Sequence, residues 1–458
     1  MNDITAFFAF LKYCLRYKEN MSRVIAGMNW HELYSFASKQ ALLGLCFEGI
    51  ERLGEEYPEE LKRNPIGREL LMTWMGKAQQ IRRQNRKVNA VAGKLFAMLR
   101  VDGMRCCVLK GQGNALMYPN PYSRTPGDID VWIDASRERI MEYAQKKFEL
   151  EDDIRLQHLE TSLDGVPVEL HFFPCSMNNP IYHVRLQKWF LRNADLQCSN
   201  IVGLPDGAGD IAIPTTAFNV IYQLTHLYHH FFDEGIGMRQ IIDYFLVVND
   251  FSKNVFLNND LSNHPVNFSN HPVPLSKEGS TFSPSPSSSG SGDVTAPSRC
   301  SEPLRSKDGG PSKVSPDCAG WDRLAIEGDN SAGSTTVVTS SASTALVVVQ
   351  RELKYLGLWK FAGAVMYVLH EALGLPEEKM IAPMDEKRGK LLLAEILNGG
   401  NFGRHFTKYG HFTQQGMAKK YFLKIWRNMH FVRYYPAEAL SEPIFRTWHF
   451  FWRLKHRR

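Results

Sequence analysis

A hundred-residue segment in the middle of the chain has a composition that cannot form a hydrophobic core. Residues 251–350 contain 21 Ser, 9 Pro and 8 Gly, and such a segment buries too little apolar surface to offset the entropy lost on ordering. We predict a disordered insertion over 251–350 without a catalytic role, with a regulatory linker as the alternative. Its last residues, TTVVTSSASTALVVV, favour β-structure.

The rest of the chain divides by the spacing of its apolar residues. Helical spacing runs through 1–100 and returns in 206–250 and 351–458, whereas 101–205 contains short apolar or alternating runs. We predict a helical N-terminal lobe (1–100), a small mixed-sheet core (101–205), and a helical C-terminal lobe formed by 206–250 together with 351–458. The fold class is α+β.

Strand patterns are clear in three stretches of the core. RCCVLKG is a short apolar run that ends in glycine, and DIDVWI alternates between apolar and other residues. LETSLDGVPVELHFF contains two alternating runs joined by Asp164 and Gly165, a dipeptide typical of tight β-hairpins. The sheet therefore contains a hairpin.

Acidic residues recur on these predicted strands. Asp128 and Asp130 lie two residues apart and project from one face, with Ile129 on the other. In the second strand of the hairpin, Glu169 and His171 share a face. Carboxylates crowded together repel one another unless a divalent cation neutralises them, so Asp128, Asp130 and Glu169 are candidate ligands for Mg²⁺ or Mn²⁺. Competing third acids are Asp153 and Glu160.

A glycine-containing loop precedes the acidic strand. Residues 110–113 read Lys110, Gly111, Gln112 and Gly113, after a strand-like run and before a helix-compatible one. Glycines at such a turn let backbone amides approach a phosphate, and Lys110 and Arg124 would neutralise its charge. The loop matches neither GxxxxGK[ST] nor GxGxxG.

This order of motifs resembles the nucleotidyltransferase superfamily of DNA polymerase beta type. More narrowly, it resembles a bacterial family of uncharacterised nucleotidyltransferases, on the segments L109-K-G, Y118-P-x-P, R124-x-x-G-D-I-D-V131, V168-E-L-H171, R239-Q-I-I-D243 and E395-I-L-N-G-G-N-F-G403. Lys110-Gly111 stands where the wider superfamily has Gly-Ser.

The resemblance implies a metal-dependent enzyme with a nucleotidyltransferase core. Asp128 and Asp130 would bind the metal that bridges the phosphates of ATP or another nucleoside triphosphate, with Glu169 beside the attacking oxygen. Glu169 or His171 would accept the proton of the acceptor, and Lys110 and Arg124 would balance phosphate charge. The acceptor remains open among a sugar, another metabolite, a protein or an RNA end.

Two rival hypotheses belong to other functional classes. His226 and His230 lie one helical turn apart, and with Asp233 and Asp243 they would suit a histidine/aspartate metal-dependent phosphohydrolase. The second rival is a non-catalytic nucleotide-binding or scaffold module. We also consider His226, Arg239 and Asp243 as the lining of an acceptor cleft, although Arg239 and Asp243 are spaced for a plain helical ion pair.

Charge and composition limit the partners and the compartment. The net charge is +6, yet residues 401–458 carry twelve Lys and Arg against two Glu, so this basic tail is suited to an anionic partner. No apolar run approaches the ~20 residues that cross a bilayer, and no secretory cleavage signal is evident. Eight cysteines without a CxxC pair fit reduced thiols. We expect a soluble, cytoplasmic protein.

Overall fold

The computed structural model describes residues 3–150, 155–260, 342–405 and 417–456, all within one compact unit. Helices precede and follow a short stretch of strands. The helices of the N-terminal part are α1 Asp3–Cys14, α2 Ser22–Ala26, α3 Trp30–Lys39, α4 Leu43–Glu56, α5 Pro58–Arg63 and α6 Arg68–Val101. The strands and helices of the centre are β1 Cys106–Leu109, α7 Gly111–Ala115, β2 Ile129–Ile133, α8 Arg137–Lys147, β3 His158–Leu163, β4 Val166–His171, α9 Pro180–Ser199, β5 Ile201–Gly203 and β6 Asp210–Ala212.

The C-terminal part of the described chain is helical. Its helices are α10 Thr216–Asp233, α11 Met238–Asp260, α12 Ala342–Tyr355, α13 Trp359–Leu373, α14 Glu386–Gly399, α15 Met417–Met429 and α16 Pro436–His456. A short 3₁₀ turn, Asn401–Gly403, follows α14. The structure thus confirms the α+β class, with helical regions on both sides of a small mixed sheet.

The main sheet has four strands in the order β1-β2-β4-β3. Strand β2 is antiparallel to β1 and parallel to β4, and β3 pairs antiparallel with β4. The hairpin turn between β3 and β4 uses Asp164 and Gly165, both at positive φ, as the Asp-Gly signal predicts. Strands β5 and β6 form a separate ribbon, which ends at Ala212, beyond the predicted core boundary at 205.

The two faces of the main sheet have different environments. Ile129, Val131 and Val168 belong to a core that packs against α6 and α8. On the opposite face, Trp132 stacks on Phe218 with 6.1 Å between ring centroids. Because side chains alternate along a strand, Asp130 lies on this second face with Trp132.

The predicted insertion has ordered ends. Helix α11 continues through residues 251–260, and α12 begins at 342, so both helices enter the range 251–350. The valine-rich end, expected to favour β-structure, is helical from 342, because buried Val349 and Leu353 place an apolar stripe on one side of α12. Residues 261–341 lie outside the described residues.

No helix in the described part of the chain is long and apolar enough to span a membrane.

Candidate active site

Two carboxylates meet where β2 and β4 run in parallel. Asp130 is the register partner of Glu169, and Trp132 that of His171, so Asp130, Glu169 and His171 share one face, as the alternation predicts. Only 6% of Asp130 is exposed. Asp128 directly precedes β2 and is exposed. The sheet therefore gathers the three acids predicted from the sequence.

Cationic and imidazole groups surround the buried carboxylate of Asp130. The Nζ atom of Lys110 lies 3.3 Å from Asp130 Oδ1 and donates to Nε2 of His226 at 2.7 Å. His171 Nε2 lies 3.1 Å from Asp130 Oδ1 and 3.1 Å from Glu169 Oε2. Carboxylates only accept hydrogen bonds when ionised, so Nε2 of His171 carries a hydrogen and donates to both.

The turn that carries Lys110 is sharply bent. Lys110 and Gly111 have φ of 51° and 39°, which places Lys110 in a region that residues with a side chain rarely adopt. This bend directs the chain from β1 into the short helix α7 and leaves Nζ beside Asp130.

The environment shifts the pKa values of these groups in different directions. The negative charge of Asp130, with the reduced access of water to the carboxyl group in the cavity and the charge of Glu169, raises the pKa of Asp128 to about 6. Burial opposes ionisation of Asp130, but Lys110 and His171 outweigh it and lower the pKa of Asp130. Burial also opposes protonation of His171, yet hydrogen bonds to Asp130 and Glu169 raise its pKa to about 9. Asp130 is thus stabilised as an anion, whereas Asp128 keeps its proton to a higher pH than an ordinary aspartate.

A cavity of about 250 Å³ collects most of the predicted site residues. The predicted residues that line it are Lys110, Gly111, Arg124, Asp128, Asp130, Glu169, His171, His226, Arg239 and Asp243. Gln112 and Gly113, predicted to bind nucleotide, do not line it: Gln112 donates to Asn89 of α6, and Gly113 packs against Ile213. The buried side chain of Gln112 and the absence of a side chain at Gly113 allow α7 to pack closely against its neighbours.

Arg124 contributes to the cavity wall as half of a buried ion pair. Its Nε and Nη2 each donate to an oxygen of Asp243 at 2.8 Å, and the hydroxyl of Tyr118 donates to the same carboxylate at 2.8 Å. Arg124 is only 5% exposed. This bidentate pair neutralises the charge of Arg124. Asp243 therefore pairs with Arg124 and not with Arg239, its predicted partner on the same helix.

The histidines of α10 adjoin the carboxylates, but their candidate acidic partners are engaged elsewhere. His230 Nε2 lies 3.1 Å from His226 Nε2, and burial lowers the pKa of both rings. Asp233 accepts from Lys424 and Arg446 at 2.8 Å each. With Asp243 bound to Arg124, the acids that a histidine/aspartate phosphohydrolase would require are already paired.

Several cavity residues were not identified from the sequence. His158 lies opposite His171 across the hairpin, a position that the Asp-Gly turn could have indicated. His158, Glu169 and His171 form a group whose ligand atoms lie within 4.8 Å of one another and could hold a metal ion. Gln240 and Phe402 also line the cavity. Both lie in segments that carry the family resemblance, R239-Q-I-I-D243 and E395-I-L-N-G-G-N-F-G403, but the resemblance assigns neither of them a role.

The two competing third acids have different outcomes. Glu160 is the register partner of Glu169 and pairs with Arg155 at 2.6 Å. Asp153 lies outside the described residues.

The sheet and its acids define a class of protein in which carboxylates of adjacent strands meet in a cavity beside a bent glycine turn. The family described as uncharacterised nucleotidyltransferase matches residues 26–262, which is more than half of the chain. The chain belongs to this family. No curated protein and no solved structure matches the chain. Phe402 lies outside the matched range, whereas the carboxylates all lie within it.

Proposed function

We propose that this protein transfers a nucleoside monophosphate from a nucleoside triphosphate to an acceptor, with a divalent cation held by Asp128, Asp130 and Glu169. The observation that carries the proposal is the direct pairing of Asp130 with Glu169 on parallel strands, beside Asp128, in one cavity. Membership of the family supports nucleotidyl transfer as the type of activity. The metal, the nucleotide and the acceptor are our inference.

The donor set fits a hard divalent cation. Carboxylate oxygens are the ligands that Mg²⁺ and Mn²⁺ prefer. The raised pKa of Asp128, caused chiefly by the charge of Asp130, shows that negative charge accumulates here, and Asp128 has no ion-pair partner among the described residues. When bound, the cation would supply charge stabilisation for the entering and leaving oxygens.

The protein's own groups would hold and polarise the substrates. Lys110 presents an ammonium group at the mouth of the bent turn, between Asp130 and His226, where it would approach a phosphate oxygen. His171 donates from Nε2 to Asp130 and Glu169, so it orients these carboxylates. Between the two candidate bases, Glu169 is the better proton acceptor, because the hydrogen on Nε2 of His171 already points at the acids.

Label transfer tests this function directly. The protein is incubated with each α-³²P-labelled nucleoside triphosphate, Mg²⁺ or Mn²⁺, and a cell extract as the source of acceptor. We expect labelled product and pyrophosphate with the wild-type chain, and a loss of about a hundredfold or more with Asp128→Asn, Asp130→Asn or Glu169→Gln. Sensitivity of the product to protease or nuclease would then identify the acceptor class.

A matched variant tests whether the loss of any nearby carboxylate, and not of these three in particular, lowers the activity. Asp134 immediately follows β2 and pairs with Arg105 on the surface, so Asp134→Asn should keep full activity. Equal labelling by wild-type and Asp128→Asn/Asp130→Asn proteins would refute the assigned roles. If neither labels anything while both bind nucleotide equally, the non-catalytic binding module becomes the correct function.

A further inference from the structure

The first turn of α11 presents two buried side chains with unused hydrogen-bond donors to the cavity. Arg239 is 9% exposed and Gln240 is 8% exposed, and both line the cavity. Among the described residues, neither Nε of Arg239 nor Nε2 of Gln240 has a hydrogen-bond partner. A buried donor without an acceptor destabilises the folded protein, so two adjacent ones indicate a site for an acceptor from outside the chain.

Each side chain is oriented by a contact that leaves these donors available. Arg239 donates from Nη1 to the carbonyl of Thr125 at 3.1 Å. Gln240 accepts the backbone N–H of Gly237 on Oε1 at 2.7 Å. Because Oε1 must face that N–H, the amide nitrogen of Gln240 is fixed on the other side.

The balance of charge around α11 favours an anion. Arg124 and Asp243 form the bidentate pair described above, so these two charges cancel. Arg239 has no carboxylate within ion-pair distance among the described residues. Arg124, Arg239 and Asp243 together carry one net positive charge, and the negative charge of Asp128 also acts on Arg239.

A loop from the C-terminal part of the chain fixes the remaining side of Arg239. The ring centroid of Phe402 lies 5.5 Å from Cζ of Arg239, within the range of a cation–π contact. The loop comes this close because Gly237 lacks a side chain: a Cβ there would lie 2.7 Å from Cα of Asn401. Phe402 itself has φ of 53°. The guanidinium is thus held between Thr125 and an aromatic ring.

We propose that Arg239 and Gln240 form a phosphate-binding subsite in which Nε and Nε2 donate to phosphate oxygens. The substrate class rests on the proposed nucleotidyl transfer, whose triphosphate tail or phosphorylated acceptor would supply the phosphate. Arginine suits this ligand because its planar donors match phosphate oxygens. In this arrangement Arg239 takes the charge-balancing role that the sequence pattern assigned to Arg124.

Calorimetric binding of inorganic tripolyphosphate to the full chain, in buffer with EDTA and no divalent cation, tests the subsite. Arg239→Met removes the charge, whereas Gln240→Glu keeps the acceptor for Gly237 and replaces the amide donors with a negative oxygen. We expect each to weaken binding by about tenfold or more, as for the loss of a charge-assisted hydrogen bond. Arg351→Met, at a largely exposed arginine outside the cavity, should bind as wild type.

Thermal unfolding of every variant separates a lost subsite from a lost fold. If Arg239→Met is unstable, Gln240→Glu decides, because it preserves the contact with Gly237. Wild-type affinity in a folded Gln240→Glu or Arg239→Met protein overturns the proposal.

Binding of a non-hydrolysable nucleoside triphosphate analogue, measured in the same way, identifies the source of the phosphate. If Arg239→Met weakens the analogue and tripolyphosphate alike, the subsite binds the triphosphate tail. If it weakens tripolyphosphate but not the analogue, the subsite takes the phosphate of the acceptor. The Asp128→Asn/Asp130→Asn protein should retain Arg239-dependent tripolyphosphate binding without label transfer, so the failure of either proposal is recognised separately.

Discussion

His171 shows how one side chain organises the candidate site. Its Nε2 joins Asp130 of β2 to Glu169 of β4, while Nδ1 lies 3.3 Å from the amide nitrogen of Gln157. Burial alone would lower the pKa of this ring, but the two carboxylates reverse that effect and raise it to about 9. The protonated imidazole and the ammonium group of Lys110 therefore together balance the negative charge of the carboxylates.

Removing one of the two carboxylates should weaken this effect. In Asp130→Asn the amide oxygen still accepts a hydrogen bond, but the charge is lost, so we expect the pKa of His171 to fall from about 9 by about 1 to 3. The pH titration of the imidazole ¹⁵N resonances measures it. Asp134→Asn, one residue beyond the same strand, should leave the pKa unchanged; an unaltered value in Asp130→Asn would contradict the assigned pairing.

Among the elements, α6 connects the helical N-terminal part with the sheet. Trp74, near its start, donates to the carbonyl of Leu43 in α4. Further along, Asn85 donates to the carbonyls of Tyr122 at 2.9 Å and Arg124 at 2.7 Å. The second half of the helix packs against the sheet. One helix thereby positions the segment that leads to Asp128.

Two glycines of α6 should respond in opposite ways to alanine. A Cβ at Gly93 would overlap the carbonyl oxygen of Ala208, between β5 and β6, whereas Gly76 has open space around it. We expect Gly93→Ala to destabilise the protein by about 1–3 kcal/mol, and Gly76→Ala to stabilise it by about 0.5–1 kcal/mol through helix propensity. Denaturant unfolding measures both. A stabilising Gly93→Ala would show that the ribbon does not rest on α6.

At the scale of the whole molecule, the cavity is built from distant parts of the chain. Asp233, in its wall, pairs with Lys424 of α15 and Arg446 of α16, and Phe402 comes from the loop after α14. Lys424 and Arg446 of the basic tail are therefore used in tertiary ion pairs, and Arg427 of the tail lies 3.7 Å from Glu395 of α14. Contact of the tail with an anionic partner stays a prediction, as does the cytoplasmic location.

The low-complexity segment provides a test of the whole molecule. Helices α11 and α12, which flank it, pack together, and the described cavity residues all lie outside 261–341. Replacing 267–337 by a short Gly/Ser linker should leave label transfer within about twofold, because loop closure depends only weakly on length, at about 0.6 kcal/mol per doubling. A shuffled segment of equal length is the control. A large loss with the linker but not with the shuffled segment would point to a requirement for length.

Features that depend only on neighbouring residues can be predicted from the sequence. The alternation predicts that Asp128 and Asp130 share a face of their strand and that Glu169 and His171 share a face of theirs, and Asp164-Gly165 predicts the hairpin. These features follow from the two-residue repeat of a strand and from turn conformation, so the family and the acids were recognisable before the structure. The pairing of Asp130 with Glu169 depends on the register of the parallel strands. Helix ends inside 251–350 were missed, because composition averages over a segment and does not locate the last turn of a helix.

The partners of the charged groups depend on the packing of distant elements. Arg124 pairs with Asp243, 119 residues away, and Lys110 reaches His226, 116 residues away. Arg239, Gln240 and Phe402 meet because Gly237 allows the backbone of Asn401 to approach α11. Sequence spacing specifies which face of an element a side chain occupies, but which distant group it meets depends on how the elements pack.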